Sequence, residues 1–116
     1  PLLMNHGRFL HNFLEDEFMP APGMTTSATL SEVPVYRVSE VINRRIASLA
    51  DVTGCGLRDL AIATYIDCVL CCCWSLNAAM QQAGNQDVAR IARLMAEEST
   101  MLVRTEACLA ALREQL

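Results

Sequence analysis

Apolar side chains recur at helical spacing along most of this chain. One such stripe covers residues 38–50 and stops at the glycines of "DVTGCG", which favour a helix end. Two long helices are expected over residues 57–83 and from residue 86 to the C-terminus, joined as an antiparallel hairpin by the turn "AGNQ". The fold class predicted is therefore a small all-α bundle. Nearer the N-terminus, another apolar stripe predicts a short amphipathic helix over residues 5–18. It consists of Phe9, Leu10, Phe13, Leu14 and Phe18.

Two segments depart from this helical pattern. Residues 19–34, "MPAPGMTTSATLSEVP", contain three prolines and a Ser/Thr run, and they predict a linker. Residues 33–38, "VPVYRV", are β-branched and aromatic, so they predict one short strand, with Ser39 capping the helix that follows. Residues 1–3 precede Met4 and are interpreted as a tag remnant. The organisation expected is a helix over 4–18, the linker over 19–34, and a helical dimerisation and interaction domain over 35–116.

The long helix is apolar nearly all round. From Leu60 to Met80 its only charge is Asp67, and a helix of this kind must be surrounded. A membrane could surround it, but Asp67 would then cost about 2.5–3.5 kcal/mol near mid-bilayer, so no membrane is expected. The alternative is a homodimer in which the long helices cover each other. The stripe predicted to form that self-interface comprises Ile62, Ile66, Val69, Cys73, Leu76 and Met80.

The segment "CVLCCCWSL", residues 68–76, concentrates four of the six cysteines. Cys68, Cys71 and Cys72 share a helix face, yet they offer three ligands where structural zinc takes four. A softer ion such as Cu(I) is the alternative, and core packing is the interpretation favoured over both. His6 and His11 are five residues apart and are expected to be exposed rather than ligands. No metal or cofactor is predicted.

No catalytic motif stands out in the sequence. No serine or cysteine nucleophile has an identifiable base, and no glycine-rich phosphate loop is present. An enzyme is therefore not expected, and no catalytic residue is assigned.

The stretch "RFLHNFLEDEF" is too polar for a secretory signal, so the protein is expected to be cytoplasmic, with reduced thiols.

The charge balance argues against a general nucleic-acid binder. Nine arginines and no lysine stand against thirteen acidic residues, which gives a net charge of −4, and phosphate binding needs a basic face.

The last helix carries an apolar residue at every seventh position, which predicts helix-on-helix packing along that stripe. The positions of this repeat are Val88, Met95, Leu102, Leu109 and Leu116.

The middle of the chain nevertheless resembles a ribbon-helix-helix module. The segment "VYRVSEVINRRIASLADVTGCGLRDLAIATYIDCVL" has a possible strand, a helix, a Thr-Gly turn and a second helix. In that fold, two chains pair their strands and the ribbon enters the major groove. Tyr36 and Arg37 are almost the only side chains here suited to reading bases, and Pro34 shortens the strand. A dimeric DNA-binding regulator is therefore kept as the alternative function.

The opening "MNHGRFLHNFLEDEF" and the core "CVLCCCW" are similar to the QslA-like family of quorum-sensing anti-activators of pseudomonads. The resemblance implies a non-catalytic regulator that binds the ligand-binding domain of a LuxR-type transcription activator and blocks its dimerisation and DNA binding. Direct binding to nucleic acid is then not expected. Partner interfaces favour aromatic, Met and Arg anchors. Two candidate sets follow: the first is Phe9, Phe13 and Phe18, and the second is Met95, Met101 and Leu102. The alternative for each set is packing in the internal core, and the hypothesis is that one of the two contacts the activator.

Overall fold

The computed structural model describes residues 2–18, 30–82 and 88–116, and within these residues all regular structure is helical. The all-α prediction is confirmed. The turn expected between the last two helices lies outside the described residues. The elements in chain order are α1 (Leu2–His11), α2 (Leu14–Glu17), a 3-10 turn (Leu30–Glu32), α3 (Val35–Thr53), α4 (Leu57–Gln82) and α5 (Val88–Gln115).

Helix α3 begins earlier than the sequence predicts. It starts directly after Pro34, so the predicted strand over residues 33–38 is wrong. The predicted cap, Ser39, lies inside the helix and donates a hydrogen bond to the Tyr36 carbonyl at 2.9 Å. Burial of the stripe that starts at Val38 outweighs the local preference of Val and Tyr for strands. The predicted end is confirmed, because Gly54 adopts φ 74 and its N–H donates to the Ala50 carbonyl at 2.9 Å.

The loss of that strand also removes the ribbon from the ribbon-helix-helix interpretation. Over residues 35–38, where two such chains would pair their strands, the backbone is helical. A helix at this position cannot form the two-stranded ribbon that reads the major groove in that fold. The described residues therefore lack the element on which the DNA-binding alternative depends.

One apolar core lies between the helices. Helix α4 packs most extensively against α5 and then against α1, while α3 packs mainly against α5. Because α4 has neighbours on two sides, part of its apolar circumference is covered within the chain itself. Every long helix contributes to this core. Its largest fully buried apolar residues are Leu10, Leu14, Leu30, Val38, Ile42, Ile46, Leu60, Cys68 and Cys108.

The N-terminal segment is two helices rather than the single one predicted over residues 5–18. Helix α1 already includes Leu2 and Leu3, which were set aside as a tag remnant. The break falls at Phe13, whose φ of 55 and ψ of 29 place it in the left-handed region, an uncommon conformation for a bulky residue. This kink turns Leu10 and Leu14 inward, and it leaves Phe9 and Phe13 exposed. The expected apolar stripe is therefore divided between core and surface.

The end of the predicted linker belongs to the core. Residues 19–29 lie outside the described residues. In the part that follows, Leu30 and Val33 are buried and the 3-10 turn packs against α5. The chain is thus anchored again before α3 begins.

Helix α5 turns its predicted heptad stripe outward. Val88, Met95, Leu102 and Leu116 are exposed, so the prediction that this stripe packs against the neighbouring helix is wrong. Among the residues of α5 whose side chains are described, the buried ones are Ala107, Cys108 and Ala111, together with Arg104. Small side chains allow two helix backbones to approach closely, and the larger residues are left on the outer face.

Helix α4 is long and apolar enough, by length and composition alone, to cross a membrane. Within Leu57–Gln81, an 18-residue window reaches a mean hydropathy of 1.5. Its central charge, Asp67, is buried against α1. In this fold α4 is the central helix of the bundle.

Candidate functional site

The stripe predicted for self-association lies partly open on α4. We call it the α4 face, and it consists of Ile62, Ile66, Val69, Cys73, Leu76 and Met80. Ile62 and Val69 are partly buried, while the other four are exposed, Met80 at 75%. Trp74 beside it is exposed at 58%. Exposed apolar surface of this extent is typical of a contact with another molecule.

The cysteines of α4 divide between core and surface. Cys68 and Cys72 are buried, and the Cys68 Sγ lies 3.5 Å from the Thr105 Oγ1. A hydrogen bond with Cys108 on α5 is the main cause that lowers the pKa of Cys68, and it raises the pKa of Cys108. Cys73 is exposed. Core packing therefore accounts for Cys68 and Cys72 but not for the whole run.

The aromatic side chains near the N-terminus form a second exposed area. Phe9 and Phe13, which we call the phenylalanine pair, are 68% and 72% exposed. Phe18, the third member of the predicted set, is partly buried against the core, and its ring lies 6.0 Å from the Arg37 guanidinium carbon. Beside the pair is a groove of about 310 Å³ lined by Phe9, Arg44, Arg45, Ser48, Leu49 and Val52.

Arginines hold the chain in place at the kink between α1 and α2. The Arg45 guanidinium donates to the carbonyls of Leu10 at 3.1 Å and Asn12 at 2.9 Å, so these helix-end carbonyls are satisfied. It also pairs with Glu17 at 2.9 Å, and Arg44 pairs with the same carboxylate at 3.1 Å. The Arg45 hydrogen bond is the main cause that lowers the pKa of Glu17. The phenylalanine pair is thereby held in a defined position.

The second predicted partner set lies on α5. Met95 is 63% exposed and Leu102 is 49% exposed, while Met101 is partly buried. As in the first set, two of the three residues are available at the surface. The two sets share no element, so substitutions can test them separately.

A buried polar cluster joins α1 to α4. His11 is fully buried, and its Nε2 lies 2.5 Å from the Asp67 Oδ2. The Arg8 Nε lies 3.6 Å from the Asp67 Oδ1, and the Cys71 thiol lies 3.9 Å from the Asp67 Oδ2. The expectation that His11 is exposed is wrong, because α1 lies across α4 and places it opposite Asp67. The only signal in the sequence was the isolated acid of α4, which needed a partner.

Acidification below pH 6.5 is expected to destabilise the fold through His11. Burial is the main cause that lowers the pKa of His11, against the opposing effect of Asp67. Below the ordinary value of 6.5 the unfolded chain therefore binds more protons than the folded one, and stability falls as pH decreases toward the folded pKa. Urea midpoints at about pH 7.5 and pH 5.5 measure the effect. A His11→Gln variant should lose most of this dependence, and an unchanged dependence would assign it to other groups.

Comparisons of the chain with protein-family models, with curated proteins and with solved structures gave no match.

Proposed function

We propose that this protein is a non-catalytic, cytoplasmic regulator that binds the ligand-binding domain of a LuxR-type quorum-sensing activator. The observation that carries the proposal is the phenylalanine pair, which stands exposed beside an apolar groove with arginines at its edge. Aromatic and arginine side chains are the commonest anchors of protein interfaces. The resemblance of "MNHGRFLHNFLEDEF" and "CVLCCCW" to QslA-like anti-activators supplies the identity of the partner.

The mode of inhibition proposed is steric. LuxR-type activators act as dimers, and a dimer is required to reach two DNA half-sites. A protein that covers the dimerisation surface of the ligand-binding domain prevents DNA binding without touching DNA. This mode suits a chain with a net charge of −4, because no positive phosphate-binding face is needed.

Self-association is assigned to a different surface. The α4 face shares no residue with the phenylalanine pair or with the groove beside it. The spacing along the α4 face alternates between four and three residues, the repeat by which two helices pack along a common seam. We therefore propose a homodimer through α4 that leaves the phenylalanine pair of each protomer free for the activator.

Light-scattering mass of the reduced protein tests both parts of this proposal. Alone, the protein should have the mass of a dimer. Mixed with a soluble LuxR-type ligand-binding domain, it should form a discrete hetero-complex while the activator's own dimer is lost. A dimer that ignores the activator contradicts the proposed function, and a monomer contradicts the assignment of the α4 face.

The double substitution Phe9→Ala/Phe13→Asn is expected to weaken the complex with the activator domain at least about tenfold. Asparagine is chosen at Phe13 because it tolerates the left-handed backbone there, so the kink should be kept. Titration calorimetry measures the Kd, and circular dichroism checks the fold.

The matched control for this variant is Met95→Ala/Leu102→Ala on α5. It also removes two exposed apolar side chains, and it should leave the affinity for the activator unchanged. The opposite result would move the contact from the phenylalanine pair to α5. If both doubles bind normally, neither predicted set contacts the activator.

A further inference from the structure

Three side chains of different chemistry meet where α1 crosses α4. The ligand atoms are the Nε2 of His11, the Oδ2 of Asp67 and the Sγ of Cys71, and all three lie within 4.8 Å of one another. His11 and Asp67 are buried, and Cys71 is partly buried. We propose that these three residues form a binding site for Zn²⁺ that bridges α1 and α4. This proposal goes beyond the proposed function and does not depend on it.

The donor set selects the class of ion. Imidazole nitrogen, thiolate sulfur and carboxylate oxygen are the three ligand types that zinc uses in proteins. Mg²⁺ and Ca²⁺ prefer oxygen ligands and would leave the nitrogen and sulfur unused. Three protein ligands also leave one tetrahedral position open, an arrangement found in zinc sites that bind an exchangeable ligand.

The local geometry requires only small movements to accept the ion. Asp67 and Cys71 are four residues apart on one helix, so both side chains project from the same face. The His11 Nε2 and the Asp67 Oδ2 now share a hydrogen bond at 2.5 Å. Two ligands about 2.0 Å from a tetrahedral ion lie about 3.3 Å apart. The two ligand atoms therefore need to separate by less than about 1 Å to make room for zinc, and rotation of their side chains can supply this movement.

Proton and charge balance are consistent with this ion. Zinc binding replaces the thiol proton of Cys71, which leaves for solvent, and the imidazole proton of His11 moves from Nε2 to Nδ1. The thiolate and the Asp67 carboxylate then neutralise the two charges of Zn²⁺. Arg8, with its Nε 3.6 Å from the Asp67 Oδ1, adds a positive charge at the edge of the site. An anion such as chloride or hydroxide is thus favoured in the fourth position.

Arg8 forms the solvent-exposed edge of the site. This side chain is 51% exposed, and its guanidinium carbon lies 6.0 Å from the ring centroid of the exposed Trp74. A bound ion would crosslink α1 to α4, and its binding free energy would add to the stability of the fold.

Cobalt(II) titration of the reduced, metal-free protein tests the site, followed by displacement with Zn²⁺. One Co²⁺ per chain should bind, with thiolate-to-cobalt charge transfer and the strong visible bands of tetrahedral cobalt. The Cys71→Ser variant should lose the charge-transfer band and weaken the affinity at least about tenfold. The matched control is Cys73→Ser, two positions away and exposed, which should bind as the unmodified protein does.

A second readout separates ligand loss from misfolding. Zinc should raise the Tm of the unmodified protein and of Cys73→Ser, and it should leave the Tm of Cys71→Ser and His11→Gln unchanged. The proposal is overturned if no cobalt binds. It is equally overturned if the charge-transfer band survives in Cys71→Ser, since the ion would then be held by other cysteines.

Discussion

The variant Asp67→Ala should lose about 3 kcal/mol of unfolding free energy. In the native chain, the Asp67 carboxylate accepts a hydrogen bond from the fully buried His11 at 2.5 Å and lies 3.6 Å from Arg8. Alanine leaves the His11 N–H buried without an acceptor, which alone costs about 1–3 kcal/mol. Removing one partner of a buried pair is also more damaging than removing both. Urea denaturation at neutral pH, in the absence of added metal, measures the loss.

Two further variants show whether the loss comes from this hydrogen bond. Asp67→Asn keeps an oxygen that can accept from His11, so it should lose about half as much. Asp59→Ala removes an exposed carboxylate from the first turn of the same helix, and it should cost less than about 1 kcal/mol. If Asp67→Ala and Asp59→Ala are equally mild, the His11–Asp67 pair does not hold α1 in place.

Alanine at Gly7 should lower the free energy of unfolding by about 2 kcal/mol. A Cβ at this position would lie 2.5 Å from the Ala63 carbonyl oxygen and 2.9 Å from the Thr64 nitrogen. These are backbone atoms of α4 that cannot rotate away, and overpacking of this kind costs about 1–3 kcal/mol, occasionally more. The higher helix propensity of alanine returns about 1 kcal/mol. Urea midpoints and the fluorescence of Trp74, which lies beside Arg8 of α1, report the change.

Gly56→Ala is the matched control for this substitution. Its nearest neighbour would be the Asp59 carboxylate at 3.5 Å, an ordinary contact. Since Gly56 has no steric obstacle, alanine there should be neutral or should stabilise by up to about 1 kcal/mol. Similar losses for the two variants would show that the close crossing of α1 and α4 is not the cause.

The parts of the fold that depend on local sequence were predictable. The apolar stripe of α3 and the left-handed Gly54 mark a helix and its end, because both act within a few residues. The same local approach failed at residues 35–38, where β-branched and aromatic residues suggested a strand. There the burial of Val38 and the residues that follow it, a property of the whole core, decides the structure.

The parts that depend on how helices cross were not predictable. The partner of Asp67 is 56 residues away in the chain, and no pattern near His11 indicates that it is buried. The face of α5 that packs against the core is a similar case. Its leucine and methionine repeat suggested an inward face, whereas Ala107, Cys108 and Ala111 face the core. For the α4 face, the sequence predicted that a second molecule would be needed to cover it, and this face is partly exposed in the single chain.

The contact between α1 and α4 has a consequence for how the chain folds as it is synthesised. His11 and Asp67 are separated by 56 positions, so at about 5–20 residues per second the ribosome needs roughly 3–11 s to add the second after the first. During that interval α1 has no α4 against which to pack. Helix α1 is therefore translated before α4 but docks late, and its apolar side is available to chaperones until α4 has emerged.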